Sequence, residues 1–195
     1  YSRCNVPVGL ANVVAVAAGN YYAVALKADG SLAMWGDGAS WYGDLPGTFS
    51  DLVAVAMGDN HLLGLKSDGS VVAWGENGNG QCDVPDNLAG AIAIAAGSYH
   101  SLALLRDGTV LAWGNNDNGQ CDVPEELSDV VAIAAGAFHS LALRSDGTVV
   151  AWGSNDSGQC EVPEELSEVI AIAADGSYSL ALQADGTVVA WGDNG

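Results

Sequence analysis

Three histidines, His61, His100 and His139, recur at intervals of 39 residues, and a serine directly follows two of them, as Ser101 and Ser140. Histidine titrates near neutrality and is the commonest metal ligand, and a histidine near a serine has the side chains of a base and its nucleophile. Within one strand, however, successive side chains point to opposite faces, so His100 cannot face Ser101, nor His139 Ser140. Three histidines around an axis could gather a metal, but the position belongs to the repeat pattern, with Tyr22 and Tyr178 filling it elsewhere, and is expected to satisfy a backbone group. Cys4, Cys82, Cys121 and Cys160 share another repeat position, held by Gly43 in the remaining copy. Equivalent positions on successive repeats lie beyond the roughly 7 Å Cα separation a disulfide tolerates, and Cys-Asp-Val-Pro lacks the close cysteine pairs of a zinc site. These thiols are expected to be free, small apolar side chains. Asn115-Asn-Asp-Asn-Gly119 has a faint calcium-loop look, without the spaced carboxylates and final glutamate of such a loop. No catalytic residue, metal or cofactor is expected.

The elements that carry these residues follow from the same period. Pro7, Pro46, Pro85, Pro124 and Pro163 are spaced by 39 residues, as are Trp35, Trp74, Trp113, Trp152 and Trp191: the chain is five copies of one unit. A period of about forty residues marks a repeat fold whose units bury their apolar faces only against each other. In the unit from Val130 to Pro163, Val130–Ala135 reads as a strand covered on both faces and His139–Arg144 as a second. Asp146-Gly147 reads as a type I′ hairpin turn, Thr148–Trp152 as a third strand and Gln159–Pro163 as a fourth, with proline on the outer edge. The expected fold is all-β: a β-propeller of five 39-residue, four-stranded antiparallel blades, forming one domain over 1–195 with the tryptophans packed between blades. The last copy stops at Trp191-Gly-Asp-Asn-Gly195 and Tyr1–Pro7 carries the residues it lacks, so the N-terminal strand is expected to complete the last blade and close the ring. The alternative is that five repeats are an excerpt of a longer array.

Composition narrows the partners. Five basic residues stand against 24 acidic ones, a net charge of −19, which repels phosphate backbones and anionic lipid and favours basic partner surfaces. No run of 18 apolar residues is present, so no helix is expected to span a membrane. The chain begins at Tyr1 with neither an initiator methionine nor a signal peptide, as a processed or excised product would.

The pattern Ala-Gly-x-x-His-Ser-Leu-Ala-Leu-x-x-Asp-Gly-x-Val-x-Ala-Trp-Gly-x-Asn-x-x-Gly-Gln, as in Ala96–Gln120 and Ala135–Gln159, resembles the repeat of the regulator of chromosome condensation propellers. The short period and Val-Pro ending look most like the bacterial branch that includes the secreted β-lactamase-inhibitory propeller. Members are typically seven-bladed, where this chain supplies five copies. The resemblance implies a bacterial protein at the cell surface or outside the cell. It also implies that aromatics at the positions of Tyr21, Tyr99 and Phe138 anchor a protein partner; Asn60 and Ser177 depart from that aromatic pattern.

The residues themselves point to the same face. The loops after the first and third strands open at one end of each blade, and most aromatics other than the repeat tryptophans fall there. Framework positions barely vary, while the site after the loop glycine reads Asn20, Asp59, Ser98, Ala137 and Gly176, followed by Tyr21, Asn60, Tyr99, Phe138 and Ser177. Variation concentrated on one loop face is what a diversified binding surface shows. Tyr1, Tyr21, Tyr22, Trp41 and Tyr42 crowd one sector of it. The expected function is non-enzymatic binding of a protein partner through Tyr1, Asn20, Tyr21, Tyr22, Trp41, Tyr42, Asp59, Asn60, Tyr99 and Phe138. The alternatives are a lectin, with carbohydrate stacked on the aromatics, and a structural subunit of a surface assembly.

Overall fold

The computed structural model describes residues 4–36 and 51–194; Tyr1, Trp41 and Tyr42 lie outside them. Blade 1 is built from β1 (Val13–Ala18), β2 (Tyr22–Lys27) and β3 (Leu32–Gly36), and blade 2 from β4 (Leu52–Met57), β5 (His61–Lys66) and β6 (Val71–Gly75). Blade 3 comprises β7 (Ala91–Ala96), β8 (His100–Leu105) and β9 (Val110–Gly114); blade 4, β10 (Val130–Ala135), β11 (His139–Arg144) and β12 (Val149–Gly153); blade 5, β13 (Val169–Asp175), β14 (Tyr178–Gln183) and β15 (Val188–Gly192). Each blade is an antiparallel meander in sequence order, and the first strands stand side by side, β1 by β4, β4 by β7, β7 by β10 and β10 by β13. This is the five-bladed β-propeller architecture expected from the repeat.

Two details of the blades differ from the sequence expectation. The blades have three strands, because the segment read as a fourth is a knot of turns. In blade 4, Gly158 N donates to Asn155 O, Glu161 N to Gly158 O and Val162 N to Cys160 O. Side chains take the remaining backbone groups: Cys160 N donates to Asn155 Oδ1 at 2.9 Å, Ser157 N to Gln159 Oε1 at 2.9 Å, and Cys160 Sγ donates to Ser154 O at 3.2 Å. Asparagine and glutamine compete with strand ladders in this way. The cysteines are free, and burial pushes the thiols of Cys82, Cys121 and Cys160 up to about 11, which leaves them protonated. The hairpins are also of another kind. Gly147 N donates to Arg144 O and Arg144 N to Thr148 O, and only the glycine of Asp146-Gly147 has positive φ (84°), so the turn is type I with a glycine bulge. Asp146 Oδ1 completes it by accepting from Thr148 N at 2.9 Å and from Thr148 Oγ1 at 2.7 Å, which lowers its pKa.

Blades are joined by a repeated junction. Leu102, Leu104 and Val110 of blade 3 pack against Val130, Ala142 and Trp152 of blade 4, and Leu63, Leu65 and Val71 of blade 2 pack likewise against Ala91, Ala103 and Trp113 of blade 3. Polar latches register these apolar faces. His100 Nε2 lies 3.1 Å from Ser140 Oγ, Ser140 Oγ donates to Gln120 O at 2.9 Å, and Trp152 Nε1 donates to the same carbonyl at 3.0 Å. His61 with Ser101, and His139 with Ser179, repeat the arrangement at 2.9 Å. Since each serine proton goes to the glutamine carbonyl, its oxygen accepts from the imidazole Nε2–H. At the axial end the blades nearly touch: a Cβ on Gly19, Gly58 or Gly97 would collide with the carbonyl of Gly58, Gly97 or Gly136 of the next blade.

The N-terminal strand expected to close the ring is absent from the described residues. Cys4–Asn12 run through turns, with Val6 N on Cys4 O and Leu10 N on Pro7 O, as in the other knots. On the outward sides of blades 1 and 5, Val16 is 69% exposed and Val188 63%, whereas Val110, which corresponds to Val188, is 5% exposed inside a junction.

Replacing Trp113 by alanine removes both the packing and the bond to Gln81 O (3.0 Å) and should cost about 3–5 kcal/mol in chemical denaturation. Burial lowers His61 and His139 to about 4 and His100 to about 3, so the folded junction holds neutral imidazoles. Unfolded histidines titrate near 6.5, and unfolding below that pH takes up protons. Stability present above pH 6.5 should therefore fall as pH drops towards 4, ahead of the loss below about 3.8, where turn carboxylates such as that of Asp146 are progressively protonated. Thermal melts between pH 7 and 4 check this; a flat profile would mean the histidines are not buried as neutral groups.

Candidate functional site

The three histidines and their serines do not form a reactive site. The junction unites His61 with Ser101, His100 with Ser140 and His139 with Ser179, pairs that sequence adjacency concealed because each partner comes from the next blade. All six side chains are fully buried, so no substrate reaches them. Among the described residues no group of three or more His, Cys, Asp or Glu side chains is arranged to hold a metal ion, and no helix is long and apolar enough to cross a membrane.

The loops between first and second strands converge on the propeller axis around a cavity of about 380 Å³. Its wall is made by the ends of the first strands and by Asn20, Asp59, Ser98, Ala137 and Asp175. Asn20 Nδ2 donates to Asp59 Oδ1 at 2.6 Å, tying blade 1 to blade 2, and Ala137 N donates to Gly176 O at 2.8 Å, tying blade 4 to blade 5. In blades 2 to 5 the loop is also fastened to the segment leaving the third strand: Glu76 N donates to Asn60 O, Asn115 N to Tyr99 O, Ser154 N to Phe138 O and Asp193 N to Ser177 O. The two loop sets thus emerge side by side on one face, as the sequence implied.

Outside the axial wall stands the next residue of each loop. Tyr21 is 43% exposed and Phe138 36%, and Tyr99 stacks on Phe138 across blades 3 and 4 with ring centroids 6.0 Å apart and planes at 26°. Asn60 is half-buried between Tyr21 and this pair in blade order. The structure therefore gathers Asn20, Tyr21, Asp59, Asn60, Tyr99 and Phe138 on one face. Tyr22 does not belong with them: it is only 9% exposed and packs with Val24, Met57 and Leu62 in the junction of blades 1 and 2. It begins β2 in the register of the latch histidines, and that alignment already carried the signal. Its ring lies 6.1 Å from that of Tyr21, beneath the surface residue.

Sequence reasoning missed Asp175. It stands where the other copies have Gly19, Gly58, Gly97 and Gly136, an irregularity legible in the repeat, and brings a carboxylate to the axial opening. Tyr178 Oη donates to Asp175 Oδ2 at 3.3 Å, and the nearby carboxylate charge raises the phenol pKa.

The sequence model of the regulator of chromosome condensation (RCC1) repeat matches residues 13–40, 52–81, 91–120 and 130–159, more than half of the chain. No curated protein matches. Among solved structures, Prp20p from Saccharomyces cerevisiae superposes with a TM-score of 0.78 at 25% identity, over 92% of this chain and 58% of Prp20p. The ectodomain of the Physcomitrella patens receptor kinase CR4 gives 0.77 at 21% identity, over 90% of this chain and 51% of that one. Human WBSCR16 gives 0.74 at 21% identity, over 92% and 62% respectively. These last two establish the fold alone, and the chain spans between 51% and 62% of the length of the three. On the repeat matches and the shared propeller, the chain belongs to the regulator of chromosome condensation (RCC1) repeat family.

Proposed function

We propose that this chain is a non-enzymatic binding module that engages a protein partner through the loop face carrying Tyr21, Tyr99 and Phe138, with Asn20, Asp59 and Asn60 as its polar surroundings. The observation that carries this reading is the placement of large, partly exposed aromatics on one face of a framework in which Trp113 and Trp152 are buried in junctions. Aromatic side chains anchor interfaces because they bury much apolar area at little cost in rotamer freedom. Propellers of this family bind proteins: Prp20p is described together with its binding to Gsp1p and histones, and yeast RCC1 (Prp20) with Kap60 bound to it. A net charge of −19 favours a basic surface on the partner and speeds its approach at low salt. We place the protein in the bacterial branch of the family, at the cell surface or secreted, on the short period and Val-Pro ending of its repeat.

Tyr99→Ala combined with Phe138→Ala tests the face. Affinity capture from the source lysate and medium should identify a protein retained by the native chain and bound about 10–100-fold more weakly by the variant, with the melting temperature nearly unchanged. Undiminished retention by the variant would overturn the proposed face, and a large fall in melting temperature would make the stacked pair part of the framework.

A further inference from the structure

We propose that the face opposite the loops is a second docking surface, and that it takes a protein segment whose aliphatic side chains are flanked by lysine or arginine. One repeat position carries the inference. Val14, Val53, Ile92, Val131 and Ile170 are each the second residue of a first strand, near the end remote from the loops. Their exposure runs from 46% to 60%. Val53, Ile92 and Val131 belong to blades packed between neighbours on both sides, so this exposure is a property of the position and not of where the chain begins or ends. A bulge creates it. The ladder between first and second strands skips this residue in all five blades: Leu52 pairs with Lys66 and Ala54 with Leu65, Val130 with Arg144 and Ala132 with Leu143. With unbroken alternation Ile92 and Val131 would share the side of Ile94 and Ile133, which pack in the junctions. The extra residue turns them out instead, as bulges do when they re-aim a side chain. Nothing in that backbone calls for an aliphatic group, since threonine branches at Cβ as valine does and is better solvated. Because the first strands stand side by side about the axis, the five side chains form one curved apolar row.

Charge selects the occupant. Two residues before the aliphatic stand Asp51, Asp129 and Glu168 in blades 2, 4 and 5, all exposed. At Asp129 and Glu168 the backbone is left-handed, with φ of 57° and 52°, a conformation that glycine adopts without strain, as Gly90 does in blade 3 at 73°. Two of these entries to the first strand thus hold a carboxylate where glycine would relax the chain. The connectors at the same end add Glu125, Glu126, Glu164 and Glu165, and together these acids outnumber Lys66, Arg106 and Arg144. Carboxylates beside an apolar row repel anionic lipid, and they repel a second copy of this chain, which would bring the same carboxylates. They attract the cations of a basic segment, whose aliphatic side chains would then be buried on the row while its lysines or arginines meet the acids around it. The surface lies across the molecule from Tyr99 and Phe138, and the inference does not rest on the loop face.

Fluorescence anisotropy with a labelled peptide of lysine and leucine tests this, against one control peptide in which serine replaces leucine and another in which glutamate replaces lysine. The native chain should bind the lysine–leucine peptide at least about tenfold more tightly than either control. Val53→Thr combined with Ile92→Thr and Val131→Thr keeps every charge and every branched side chain. It should weaken that binding at least about tenfold, with the melting temperature nearly unchanged. Asp129→Asn with Glu168→Asn, asparagine being tolerant of left-handed backbone, should weaken it by a smaller factor that vanishes at high salt. Tyr99→Ala with Phe138→Ala should bind the peptide like the native chain, which separates this surface from the loop face. Equal binding by the threonine variant would reduce the attraction to net charge and overturn the proposal. So would a lysine–leucine peptide held no better than its serine control, or loss of binding in the loop-face variant. A threonine variant that melts far below the native chain would place the row in the framework and overturn it as well.

Discussion

At each latched junction one backbone carbonyl, that of Gln81, Gln120 or Gln159, accepts a hydrogen bond from a serine hydroxyl and another from a tryptophan indole of the next blade. The serine proton being committed there, the serine oxygen can only accept, and the imidazole from the preceding blade must supply Nε2–H. An imidazolium could donate there too, but Nδ1 of His61, His100 and His139 is buried without a hydrogen-bond partner, and exclusion of water keeps the rings neutral. The ring also fills the space that a Cβ on Gly58, Gly97 or Gly136 would need. Glycine, histidine, serine, glutamine and tryptophan, scattered along 39 residues, are one physical unit divided between neighbouring blades, and this is why they recur together.

Much of this was legible in the sequence because a repeat displays its constraints five times. The period gave the architecture, apolar runs the first two strands, and Asp-Gly the hairpins. The histidine–serine latch was not legible: adjacency in one strand rightly excluded His100 with Ser101, but a single repeat says nothing about which side chains meet across a junction. The fourth strand failed for a local reason. Asn155 and Gln159 have side chains that satisfy turn backbone, and a strand reading of Gln159–Pro163 overlooks that competition. At the candidate site, loop position alone put Tyr21, Tyr99 and Phe138 on the surface, whereas Tyr22, one residue further, enters β2 and turns inward.

Framework and face are separable in energetic terms. The junctions rest on leucines, valines and latches that lie between the sheets, while the loop face rests on turns fastened by backbone hydrogen bonds such as Asn115 N to Tyr99 O. Residues outside the axial wall can therefore change from tyrosine to asparagine to serine without altering a junction. A rigid scaffold that tolerates such change displays its side chains with little entropy left to lose on binding.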